Sequence, residues 1–146
     1  IFIFYYLCTE MELNLTPLKT EDYDNILVPW WKQWKWTPPQ RDFLPENGTG
    51  GVMVWDKDIP VCAGFVYNTN SKVGWVDWII SNKEYRKIPQ REEALDLLIL
   101  TLGEICKKQD KKYSYALLRH KKLIKTYEKL GYNAGDQYSQ EMIKVY

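Results

Sequence analysis

The reading of this chain turns on Val73–Lys108, VGWVDWIISNKEYRKIPQREEALDLLILTLGEICKK. Val73 to Ser81 reads as a strand, with Trp75, Asp77 and Ile79 facing one way and Val76, Trp78 and Ile80 the other. Both faces are largely apolar, as in a central strand covered on two sides. Asp77 is the exception, since a carboxylate there needs a partner, water or a chemical task. A short basic loop containing Pro89 follows. From about Gln90 to Lys108 the residues Ala94, Leu95, Leu98, Leu102, Ile105 and Cys106 recur at helical spacing. Glu92 and Glu93 at its start and Lys107 and Lys108 at its end complement the helix dipole. A helix start offers backbone N–H groups to an anion, so strand, loop and helix together form a candidate phosphate-holding unit.

Working outward, Glu12 to Leu18 alternates as a half-buried strand, and Thr20 caps a helix beginning near Glu21 that Pro29 ends or kinks. Trp30, Trp31 and Trp34 share one side of a short helix stopped by Pro38-Pro39. They read as a cap over the core and, compatibly, as the wall of an acceptor pocket. Residues 40–51 form a loop. Gly51–Asp56 and Pro60–Tyr67 make a hairpin through Asp56-Lys57-Asp58. After the long helix come a strand from Tyr113 to Leu118 and an amphipathic helix from about Lys121 to Leu130, stopped by Gly131. The tail predicts a turn near Gly135 and a last strand from Tyr138 to Val145. This order predicts a mixed sheet flanked by helices.

With 146 residues the chain is long enough for one domain, and a net charge of +1 gives no global field toward nucleic acid or a membrane. Seven Trp and eleven Tyr suit a dense core, an aromatic pocket, or both. Cys8, Cys62 and Cys106 have neither metal-ligand nor redox spacing, so no metal and no disulfide framework are expected and a cytoplasmic setting is inferred. The opening IFIFYYLCTE is too short to span a bilayer and lacks the marks of a signal peptide. It reads as an extension upstream of a start at Met11 or, alternatively, as an extra edge strand, leaving 11–146 as a single domain.

Two stretches carry a family likeness. Asp77-Trp-Ile-Ile-Ser-Asn-Lys-Glu-Tyr-Arg86 is similar to the fourth strand and following turn of the GNAT-type N-acetyltransferase superfamily. Leu123-Ile-Lys-Thr-Tyr127-Glu-Lys-Leu-Gly131-Tyr132 resembles that family's A-x-x-L-Y-E-K-L-G-F helix end, and is the more specific match. The resemblance implies an α/β fold of α+β type, with a mostly antiparallel mixed sheet of about six to seven strands and about four helices. It implies acetyl-CoA as acyl donor, an amine as acceptor, and direct attack in a ternary complex. A homodimer is left open.

The resemblance also implies residue roles. Asp77 takes the place of the family's base on the amine, and Tyr127 that of the acid for the leaving thiolate. Ile79, Ile80 and Ser81 supply the strand edge for the thioester. Arg86, Lys87, Ile88, Gln90 and Arg91 occupy the pyrophosphate loop, and His120 stands where an Asn is usual. Trp30, Trp31, Trp34 and Trp75 are assigned to the acceptor side. Pro89 and Arg91 replace two glycines of the family's loop, and proline has no N–H to give a phosphate. That departure motivates the alternative: a GNAT-like fold whose donor site is lost and which serves as a binding or structural module. For single residues, Tyr127 also fits a core aromatic, Asp77 an ordinary strand carboxylate, and His120 a helix cap.

Overall fold

The computed structural model describes residues 12–137 and 140–146. The expectations for Ile1–Glu10, Cys8 and the first two residues of the last strand therefore lie outside the described residues. The chain divides into two compact units, the first reaching Ala116 and the second running from Leu117 to Tyr146.

The first unit is built on strands β1 (Leu13–Pro17), β2 (Gly51–Asp56), β3 (Ile59–Asn68), β4 (Val73–Ser81) and β5 (Tyr113–Tyr115). They lie in the order β1-β2-β3-β4-β5, antiparallel up to β4, with β5 parallel to β4. The parallel step needs a crossover, which the long helix α3 (Gln90–Lys108) provides. This mixed, mostly antiparallel sheet is of the predicted kind, but it has five strands among the described residues where about six to seven were expected. Gln140–Tyr146 are not in a strand, and Met142, Val145 and Tyr146 are exposed. An apolar alternation alone does not make a strand without a neighbour to bond.

α3 covers one face of the sheet. Gly64 of β3 packs directly beneath it: a Cβ there would come within 2.6 Å of Ile79 Cδ1 and 2.8 Å of Leu102 Cδ1, so those side-chain ends would have to shift. The opposite face is covered by the helical run α1 (Thr20–Asp22), a π-turn (Tyr23–Leu27) and α2 (Val28–Gln33), which follow without a break. Lys19 rather than Thr20 is the N-cap, and its N–H is taken by Asp22 Oδ2 at 2.9 Å.

Pro29 neither ends nor breaks this helix. The Val28 N–H bonds back to Tyr23 O, five residues away. That wider turn accommodates a proline that has no donor for the usual bond. Trp30 and Trp31 are thereby turned inward and packed with Leu27, Met53, Phe65 and Ile80. Each fully buried side chain of the Leu, Met or Phe class contributes about 1.5–3 kcal/mol.

The second unit carries α4 (Lys121–Lys129). Its end explains the sequence motif found there. Gly131 adopts φ +100, its N–H bonds Glu128 O at 3.1 Å, and the Tyr132 N–H bonds Tyr127 O at 3.1 Å. The Tyr127 and Tyr132 rings meet edge to face with centroids 4.8 Å apart. This is a Schellman cap with its apolar staple, a glycine at the left-handed position and two aromatics closing over it.

Candidate active site

The site is built around an irregularity in β4. Its register with β3 slips by one residue, from Ala63↔Ile80 to Phe65↔Asp77. The extra residue lies at Trp78, whose backbone takes φ 58, and Asp77 Oδ1 accepts the Trp78 N–H at 2.7 Å. Such a bulge re-aims side chains, and a left-handed bulky residue costs of order 1–3 kcal/mol. Strict alternation therefore fails along β4. Asp77 and Trp75 stay on the side facing α1 and α2, but Ile79 passes to the α3 face and Ile80 to the opposite core.

β5 leaves β4 just where the bulge begins. Their pairing runs only from Val73↔Tyr113 to Trp75↔Tyr115, so Val76–Ser81 have no strand on that side among the described residues. The Asn82 N–H donates to Val61 O at 2.8 Å, which turns the adjoining Ser81 N–H and C=O away from β3, toward the open edge. Beyond Trp75 and Tyr115 the two parallel strands have therefore parted.

Part of that edge is covered. Trp34 Nε1 donates to Ser81 O at 2.8 Å, and Arg91 Nη2 donates to Ser81 Oγ at 2.9 Å. The Arg91 guanidinium and the Lys83 ammonium lie 5.6 and 5.1 Å from the Trp34 ring centre. Trp34 in turn stacks on Trp36 at 5.8 Å. Trp30 and Trp31 are buried core residues, so they are not placed to touch a ligand, and Trp36 is 40% exposed.

The basic loop is held from below. Tyr85 Oη donates to the buried Asp56 carboxylate at 2.6 Å, and Lys87 Nζ lies 3.8 Å from the same oxygen. Burial, then the Asp56 carboxylate, push the Tyr85 hydroxyl well above the usual tyrosine range. The unfolded chain therefore releases this proton first. Stability from Tyr85 is fully present below pH ~10 and is lost as pH rises beyond it. We expect the thermal midpoint to fall between pH 9 and 11, roughly, and to fall less steeply in Tyr85→Phe. Equal slopes would refute the assignment.

At the helix start, Pro89 is the N-cap, the Arg91 N–H is taken by Lys87 O at 2.8 Å, and Glu93 N bonds Pro89 O at 3.1 Å. Arg86, Lys87 and Ile88 are exposed, while Gln90 and Arg91 are half-buried. His120, in the second unit, is the N-cap of α4 through its carbonyl, which accepts the Ile124 N–H at 3.0 Å; its side chain does not cap the helix. Tyr127 is buried in the same unit.

Asp77 has neighbours that the sequence reading missed. Tyr67 Oη accepts Trp78 Nε1 at 2.9 Å and donates to Phe43 O at 2.8 Å. Burial raises the Tyr67 pKa, the Trp78 bond opposes this, and the Asp77 carboxylate adds to the rise. Tyr67 and Tyr115 flank Trp75 at ring separations of 6.1 and 5.7 Å. Only the placing of β3 and β5 beside β4 brings these rings together; no spacing in the chain announces it.

Among the described residues no group of three or more His, Cys, Asp or Glu could hold a metal, and no helix is long and apolar enough to cross a membrane. Cys62 and Cys106 are buried free thiols, and burial pushes the Cys62 thiol far up.

No protein-family model matches the chain, and no curated protein matches it. Solved structures do. Glucosamine-6-phosphate N-acetyltransferase from Arabidopsis thaliana aligns with a TM-score of 0.68 at 12% identity, covering 91% of this chain and 99% of that one. An acetyltransferase from Trypanosoma brucei aligns at 0.60 and 16% identity, covering 90% of this chain and 100% of that one. N-acetylglutamate synthase from Neisseria gonorrhoeae, complexed with coenzyme A and L-arginine, aligns at 0.67 and 7% identity over 85% of this chain and 28% of that one. The fold is that of the GNAT-type acetyltransferases. At these identities the likeness is one of fold, and within the GNAT-type fold the parted β4–β5 edge and the basic loop are the features to weigh for function.

Proposed function

We propose that residues 11–146 form a single N-acyltransferase domain that moves an acetyl group from acetyl-CoA to an amine. The observation that carries this reading is the parting of β4 from β5 beside Asp77 at a bulge, in a chain with the fold of known acetyltransferases.

The residues fit the donor in two places and fail it in one. The open edge at Ser81 offers backbone groups to the acyl end, and the exposed Arg86 and Lys87 offer charge to a diphosphate. The backbone cradle fails, because Pro89 lacks an N–H and Arg91 has spent its own. Phosphate is therefore held by side chains in this reading, as charge rather than as a shaped nest. Acetyl-CoA supplies an acyl group activated as a thioester; the C–N bond forms as the C–S bond breaks. Asp77 takes the proton from the attacking amine, directly or through water, and Tyr127 returns one to the departing sulfur. The strand edge near Ile80 and Ser81 steadies the carbonyl oxygen while it carries charge.

Titration with millimolar acetyl-CoA under thermal denaturation tests the reading, since specific binding raises the apparent midpoint. Side-chain holding further predicts that acetyl-CoA affinity falls steeply with salt, whereas that of S-acetylpantetheine, which lacks the phosphates, changes little with salt. No stabilisation at low salt would favour a non-catalytic binding module, the reading suggested by the spent N–H at Arg91. The Trp34 bond to Ser81 O competes with a donor for the strand edge. Trp34→Phe is expected to tighten S-acetylpantetheine binding about fivefold, the value of one neutral hydrogen bond. Weaker binding in that variant would make Trp34 part of the donor site instead.

A further inference from the structure

We propose that the rings around Trp75, together with Asp77, form an acceptor site for a protonated aryl or alkyl amine that bears no carboxylate or phosphate next to its nitrogen. This names the acceptor class and rests on the acyltransferase reading above. The geometry comes from three strands of the first unit. Trp75 and Tyr115 face each other at the last rung before β4 and β5 part, edge to face at 84°. Tyr67 lies on the other side of Trp75, and Trp78 is tied to the Tyr67 hydroxyl. Asp77 shares this side of the sheet and lies near enough to the Tyr67 hydroxyl to raise its pKa. Tyr115 is 39% exposed, so the cluster meets solvent at that ring.

Two properties of the cluster select the ligand. Aromatic faces and a carboxylate both favour a cation, and they repel an anion brought to the same place. The exposed Tyr115 ring also offers apolar surface to a body attached to the ammonium. A third property adds a detail. Trp75 Nε1 is buried and has no hydrogen-bond partner among the described residues. A buried donor left so is costly, and an oxygen on the ligand or a water would satisfy it. Carriage of the ammonium to Asp77 also puts the proton that must leave next to the group assigned to remove it.

The test uses the full chain and three probes: 2-phenylethylamine, its N,N,N-trimethyl derivative, and phenylalanine, which differs from the first by one carboxylate. Binding is read by calorimetry without any donor. Phenylethylamine is expected to bind at least about tenfold more tightly than phenylalanine, and the trimethyl derivative to bind although it cannot be acylated. Tyr115→Leu, a change at an exposed ring, is expected to weaken both amines by about threefold to thirtyfold. Equal binding of phenylalanine, or no binding of either amine to folded protein at millimolar concentration, overturns the proposal. Thiol release from acetyl-CoA separates it from the reading beneath it. Amine binding as expected without thiol release sinks the acyltransferase and leaves the site standing. Thiol release with anionic acceptors in preference to simple amines sinks the site and leaves the acyltransferase.

Discussion

Asp77→Asn is expected to lower kcat/KM for acyl transfer to a simple amine by about 10²–10⁴-fold, the usual contribution of a positioned general base. The substitution keeps a side-chain oxygen for the Trp78 N–H that Asp77 now accepts at 2.7 Å, so the bulge should persist. It removes only the capacity to take a proton. The loss should shrink with hydroxylamine, which is largely unprotonated at neutral pH and attacks without help. Steady-state rates for both acceptors, with a thermal midpoint as folding control, make the comparison. An unchanged rate with the simple amine would return Asp77 to the role of a strand carboxylate that pins the bulge. An equal loss with both acceptors would point to altered geometry instead.

Asp56→Ala is expected to cost about 2–4 kcal/mol of stability, because two donors lose their acceptor at once. Those donors are the Tyr85 hydroxyl at 2.6 Å and the Glu12 N–H at 3.1 Å, and Lys87 loses its nearby counter-charge. Denaturant titration checks the size. Combined with Tyr85→Phe the penalty should be clearly less than additive, since both changes remove one shared bond. The same contact anchors the basic loop to the end of β2, so the variant should also raise KM for acetyl-CoA more than it lowers kcat. Additive penalties would show that the Asp56–Tyr85 bond is not the interaction that matters.

Much of the frame was legible because it rests on local periodicity. Gly51–Asp56, Val73–Ser81 and Gln90–Lys108 have the bounds read from the chain, since turn residues and caps punctuate them sharply. Elsewhere tertiary context overrode the pattern. The chain alone lets Pro29 end or kink its helix, yet a π-turn carries the helix past it, because burying Trp30 and Trp31 offsets the widened turn. β5 is three residues long where six were expected, and Gln140–Tyr146 form no strand.

The tryptophans divide in a way no helical wheel could show. Trp30 and Trp31 fill the core, while Trp34 reaches the edge of β4 and bonds Ser81 O. The sequence places Tyr67, Asp56 and Tyr115 only as strand or turn residues and gives no sign of their roles at the site. Each acquires its role through a partner at least ten residues away, such as Trp78, Tyr85 or Trp75.

By itself, then, the sequence determined the order of elements, the strand–loop–helix unit at Val73–Lys108, the missing N–H at Pro89 and the Tyr127–Tyr132 helix end. These depend on covalent geometry and on neighbours within a few residues, which the chain carries with it. Only the tertiary structure decided the slip at Trp78, the parting of β4 from β5, the bonds of Trp34 and Arg91 to the Ser81 carbonyl and hydroxyl, and the ring cluster beside Asp77. Those depend on which strands become neighbours and in what register, and register is settled by packing across the sheet rather than along the chain.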